Sequence, residues 1–177
     1  MDITTDDEGR VIKKEDRIKR LGDAYAYLMT PEANEKYDWV FVDSLSELSQ
    51  AMMDQLNTEF PDRKDSLVMY GENSKRMRSL VKSFRDLPNY NVVFTALSDI
   101  DKDENGARFT TVQMVGSISK QLPAFFDEVF YLYANEDGER ALLTTGDSKV
   151  IAKDRSGKLD RIEKPNLAMV ASKIKGE

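Results

Sequence analysis

The chain has 177 residues, 40% apolar and 33% charged, with a net charge of −6, enough for a domain with a real core but not for indiscriminate nucleic-acid binding over the whole surface. It contains no cysteine and no histidine. Disulfides, thiol nucleophiles, imidazole bases and the usual zinc sites are thereby excluded, and a bound metal would be oxygen-ligated, as Mg²⁺ is.

Neither a signal peptide nor an apolar run of membrane-spanning length is found, so a cytoplasmic setting without membrane association is expected. The charged first twenty residues hold a turn at Asp6–Arg10, with Ile3 and Val11–Ile12 as candidates for short flanking strands. From Lys14 the apolar spacing is helical, through Ile18, Leu21, Tyr25 and Leu28. Pro31 and Asn34 are expected to break that helix.

Trp39 to Val42 is a short apolar run that ends abruptly at Asp43 and Ser44. An apolar run of this length predicts a parallel strand buried on both faces. A carboxylate and a hydroxyl at its carboxyl end stand where α/β sheets bind ligands. Ser44 with Glu47 has capping-box spacing, so the same pair also suits a plain helix start. Leu45, Leu48, Met52 and Leu56 then form one apolar helical face. A polar loop follows from Asp62, then Leu67–Gly71, then a helix carrying Met77, Leu80, Val81 and Phe84. It should end near Pro88.

Asn91 to Leu97 is a second apolar run, closed by Ser98 and Asp99. Strand, helices and strand make a crossover unit, which predicts parallel pairing with the first run. Asn105-Gly106 predicts a hairpin turn before the β-prone segment Arg108–Val115. Ser117–Phe126 reads as a short helix interrupted by Pro123. Val129–Tyr133, Ala141–Thr145 and Lys149–Ala152 read as strands joined by short turns, hence antiparallel. After Pro165, Leu167, Val170 and Ile174 share a helical face. The cations Lys149, Lys153, Arg155, Lys158, Arg161 and Lys164 form a mixed strip with interleaved acids, which suits either a nucleic-acid backbone or a solvated surface.

Four segments together resemble phage-type RecA-like ATPases of the AAA-domain group, which includes phage single-strand annealing recombinases. They are Tyr37–Leu48 (YDWVFVDSLSEL), Arg85–Leu97 (RDLPNYNVVFTAL), Gly116–Tyr133 (GSISKQLPAFFDEVFYLY) and Ile151–Leu159 (IAKDRSGKL). The resemblance implies an α/β fold of RecA-like three-layer sandwich type, with parallel core strands extended by antiparallel ones, in a single domain over 1–177. It implies that Asp43 is the Walker B aspartate and metal ligand, with Ser44 beside it. Thr95 and Ser98 would be polar sensors at the end of the next core strand. Lys153 and Arg155 match a K-x-R-x-G element whose cations reach a neighbouring subunit's nucleotide. Arg108 and Phe109 would fall in a DNA-binding loop, with Phe109 stacking on bases; a plain hairpin is the competing reading. The implied cofactors are Mg²⁺ and ATP, and the implied partners are a homo-oligomer and single-stranded DNA, in a bacterial host or encoded by a phage.

The sequence departs from the family in one respect. It contains no G-x-x-x-x-G-K-[ST], the loop whose backbone N–H groups and lysine hold the phosphates. The first P-loop strand and helix are therefore expected to be missing, either because the chain is a fragment or because it no longer hydrolyses ATP. The alternative function is a non-catalytic RecA-like module for assembly or DNA binding.

Overall fold

The computed structural model describes residues 4–63 and 65–177; Ile3 lies outside them. The chain divides into two compact units. One runs to Leu97 and includes Val112–Ser119. The other comprises Ser98–Thr111 and Lys120–Glu177. Both parallel and antiparallel strands occur, with five α-helices among the described residues.

In the first unit, the Asp6 carboxylate organises the predicted turn by accepting from the Glu8 and Arg10 amides. A single antiparallel bridge, Thr5 to Val11, closes it. Helix α1 spans Lys14–Leu28. Pro31 does more than break it: Pro31 opens a second helix, α2 (Pro31–Lys36), capped by Thr30. Proline suits a first helical turn because its missing N–H would have had no partner there.

Strand β1 (Trp39–Val42) leads into α3 (Leu45–Glu59), then α4 (Ser66–Arg85) and β2 (Asn91–Phe94). Leu67–Gly71, set apart in the sequence reading, belongs to α4, because Asp65 caps the helix by accepting from the Leu67 and Val68 amides. The predicted apolar face of α3 is buried: Leu45, Leu48, Met52 and Leu56 are at most 4% exposed. It packs on α1 and on α4, whose Met77, Val81 and Phe84 are buried, and Tyr25 of α1 meets Phe84 of α4 edge-on at 5.4 Å. Burying each such side chain is worth about 1.5–3 kcal/mol, so this three-helix contact is the unit's main source of stability. A bidentate pair from Arg76, midway along α4, to Glu59 at the end of α3, at 3.0 and 2.7 Å, ties the two helices.

β1 and β2 pair in parallel, Trp39 with Asn91 through Val42 with Phe94, as the crossover predicts. Burial on both faces does not hold. Val40 and Val42 are buried, but Phe41 is 59% exposed, with Trp39 stacked beside it at 6.0 Å. Alternate residues point to opposite faces, and only one face of this two-stranded sheet is covered.

In the second unit, β3 (Ser98–Lys102) and β4 (Arg108–Val112) form the predicted hairpin, with Gly106 at φ +81°. The Ser117–Phe126 helix is two 3₁₀ turns, Ser117–Lys120 (of which Ser117–Ser119 belong to the first unit) and Leu122–Phe125. The single strand expected at Val129–Tyr133 is split at Phe130 into β5 (Glu128–Val129) and β6 (Tyr131–Ala134). β6 pairs antiparallel with β7 (Arg140–Leu143), as expected. No strand forms at Lys149–Ala152. That segment closes a tight loop, in which Gly146 donates to the Ala152 carbonyl and Asp147 to that of Val150. The pairing strand lies just beyond, β8 (Lys153–Asp154), antiparallel to β5. β9 (Ile162–Glu163), unforeseen, pairs with β7. Helix α5 spans Leu167–Lys175 with Val170 buried. The parallel pair and the antiparallel strands form separate hydrogen-bonded sets among the described residues.

Candidate functional site

In-register pairing of Val42 with Phe94 carries Asp43 and Thr95 past the sheet's carboxyl edge side by side. The Thr95 hydroxyl donates to Asp43 Oδ1. The Thr95 amide donates to the Val42 carbonyl at 3.0 Å, and its own carbonyl accepts from Leu45 at 2.8 Å. Thr95 thus ties the end of one strand to the start of α3. The Asp43 side chain is exposed.

Ser44 caps α3: its Oγ accepts from the Glu47 amide at 3.3 Å. Ser46, not singled out in the sequence, accepts from the Leu97 amide at 3.0 Å and pins the segment after β2. Serines early in a helix commonly do this, but sequence does not say which amide will arrive. Ser49 acts likewise from the buried side of α3. Its Oγ accepts from Val115, and its carbonyl from Asn73 Nδ2. The first unit thus brings together Asp43, Ser44 and Thr95 of the predicted residues.

Ser98, Arg108, Phe109, Lys153 and Arg155 lie in the second unit. Ser98 opens β3, exposed, rather than ending β2. Arg108 is exposed and Phe109 half-buried, on a hairpin that also bears Asp99, Asp101, Asp103 and Glu104. Of these, Asp101 pairs with Lys120 at 3.1 Å. Lys153 is turned inward, its ammonium donating to the Pro123 and Phe126 carbonyls. Arg155 is exposed and pairs with the equally exposed Asp127 at 2.8 Å, not with the acids next to it in sequence.

A carboxyl pair that sequence reading overlooked lies beside Arg155. Burial, and then the charge of Asp154, pushes the Glu128 carboxyl up to about 7. Burial raises Asp154 too, but hydrogen bonds from Ser156, Leu159 and Gly157 outweigh it and hold Asp154 below the usual range.

An exposed carboxylate with a hydroxyl at a parallel sheet's carboxyl edge offers hard oxygen donors. Among the described residues no group of three or more acidic side chains is assembled to hold a metal. One carboxylate suits Mg²⁺, which keeps several waters and binds through one or two carboxylates plus phosphate oxygens, and does not suit a cation needing an all-protein cage. Among the described residues no helix is long and apolar enough to cross a membrane.

A family model described as an AAA domain matches residues 3–156. No curated protein and no solved structure matches the chain.

Proposed function

The chain belongs to the AAA-domain family, which supports an ATPase-like, nucleotide-binding function, and from this premise we propose that it is a RecA-like phage ATPase-family protein of DNA recombination or replication. On this reading the chain is a RecA-like ATPase domain that works in the cytoplasm as a homo-oligomer on single-stranded DNA, with Mg²⁺–ATP bound between subunits. The observation that carries the reading is the exposed Asp43 carboxylate, accepting from Thr95 at the carboxyl edge of a parallel strand pair. Mg²⁺, when bound, neutralises phosphate oxygens as charge develops on them. Asp43 would hold it. Thr95 keeps that carboxylate oriented, and Ser44 caps the helix that follows it. Ser98 would sense the phosphate. Arg155 is exposed enough to reach a neighbouring subunit's nucleotide by exchanging Asp127 for phosphate, whereas Lys153 must first give up two carbonyl partners. Arg108 and Phe109 would meet the DNA strand.

Titration calorimetry with Mg²⁺–ATP tests this. Micromolar binding that disappears in Asp43→Ala is expected; no detectable binding by the unaltered chain overturns the nucleotide reading.

Two observations favour a second reading, a non-catalytic assembly or DNA-binding module: the sequence lacks G-x-x-x-x-G-K-[ST], and the Lys153 ammonium is held by backbone carbonyls. That reading requires oligomer formation or single-strand binding to be unchanged in Asp43→Ala. Light scattering and fluorescence anisotropy on both proteins separate the two.

A further inference from the structure

Away from Asp43, two acids face each other across paired strands. The antiparallel register sets Glu128 on β5 opposite Asp154 on β8. The Asp154 carboxylate is the hub of the next turn. Its Oδ1 accepts from the Ser156 amide at 2.8 Å, the Ser156 hydroxyl at 2.6 Å and the Gly157 amide at 3.1 Å, and its Oδ2 from the Leu159 amide at 3.0 Å. Glu128 competes for the same donor, its Oε1 taking a longer contact with the Ser156 amide at 3.3 Å. Glu128 Oε2 is buried and accepts no hydrogen bond. A buried carboxylate oxygen left without a donor is costly. A protonated carboxyl at that position becomes a donor, and the carboxylate facing it is Asp154.

We propose that Glu128 and Asp154 share one proton, and that this proton latches β5 to β8 and holds closed the turn 154–159 that carries Arg155. No other cation on the paired strands neutralises the two acids. On β8 the Lys153 ammonium is spent on the Pro123 and Phe126 carbonyls. Arg155 is bound to Asp127, and Lys158 donates to the Ile174 carbonyl at 2.7 Å. The opposite shifts of the two carboxyls, Glu128 up to about 7 and Asp154 down, are those of a coupled pair holding one proton between them. When the proton leaves, two carboxylates meet in a partly buried space and compete for the Ser156 amide. The latch then opens near neutral pH. It does so whether or not the chain binds nucleotide.

The experiment is hydrogen exchange of the Ser156, Gly157 and Leu159 amides, corrected for intrinsic rates, together with side-chain carboxyl NMR of Glu128 in the unaltered chain. Protection should fall about tenfold between about pH 6 and pH 8, and Glu128 should titrate in the same interval. Glu128→Gln, which keeps a donor but no titrating proton, should show protection independent of pH. A Glu128 resonance titrating in the ordinary carboxylate range overturns the proposal, and so does unchanged protection in the unaltered chain. Both readouts use the unaltered chain, so a poorly folding variant leaves the decision intact.

Discussion

At the scale of single residues, the positions under most constraint are those whose neighbours are backbone. Gly116 has φ +82°, and a Cβ there would lie 2.9 Å from Ser74 Oγ and 3.3 Å from the Tyr70 carbonyl. Gly146 is constrained by space alone, since a Cβ would meet the Val150 carbonyl at 2.6 Å and the Ala152 amide at 2.7 Å. Gly138 has a positive φ but nothing within 4 Å. We expect Gly116→Ala and Gly146→Ala each to destabilise by roughly 1–3 kcal/mol, and Gly138→Ala by less, in chemical denaturation. Equal effects at all three would remove the steric argument. Sequence cannot rank the three, because rank depends on which backbone folds back over each. The same holds for Arg155: its acids in sequence are Asp154 and Asp160, whereas its partner is Asp127, 28 positions away.

At the scale of elements, helix α3 joins the site to the core. Its start depends on one side-chain cap and its length on one apolar face. Ser44→Ala should lower stability by about 1 kcal/mol, and Ser44→Asn should restore most of it, because asparagine also caps. Leu56→Ala, at a fully buried position, should lower stability by about 2–5 kcal/mol. Thermal and denaturant unfolding check both; a Ser44 variant as damaging as Leu56→Ala would mean that Ser44 does more than cap. Helix periodicity was readable because 3.6-residue spacing repeats over several turns, as in α3 and the second half of α4. Proline at position 31 and aspartate at position 65 were ambiguous, since each can end one helix or begin another. The strands of the second unit are two to five residues long, too short for alternation to register. So the break at Phe130, the loop at Lys149–Ala152 and the strand at Ile162–Glu163 had no sequence signature.

For the whole molecule, charge sets the response to pH and salt. The carboxyls of Asp6, Asp86, Asp101 and Asp147 are held below their ordinary value, through the Arg10 amide, the Arg85 guanidinium, the Lys102 amide and the Lys149 amide respectively. A lowered carboxyl adds stability that is present above its ordinary value of 3.8 and lost as pH falls through the folded value. Glu128 has the opposite sign: its stabilisation is full below its ordinary value of 4.5 and is lost as pH rises to about 7. Melting temperature should therefore fall at acid pH, and also between about pH 4.5 and 7, the second decline vanishing in Glu128→Gln. A net charge of −6 opposes single-strand binding. Of the cationic strip, Lys149, Arg161 and Lys164 are exposed, while Lys153 and Lys158 donate to backbone carbonyls. If the strip binds DNA through those three, the slope of log affinity against log salt should be about −2, and salt-independent binding would exclude it. The sequence by itself determined the family, the parallel crossover, the helical core and the Asp43–Ser44 and Thr95 edge, because these rest on local periodicity and on motifs continuous in the chain. Tertiary structure alone decided that Phe41 stays exposed, that Lys153 turns inward, that Arg155 answers to Asp127 and that Glu128 faces Asp154. Each of those depends on which distant backbone arrives beside a side chain, and composition and spacing along the chain carry no record of that.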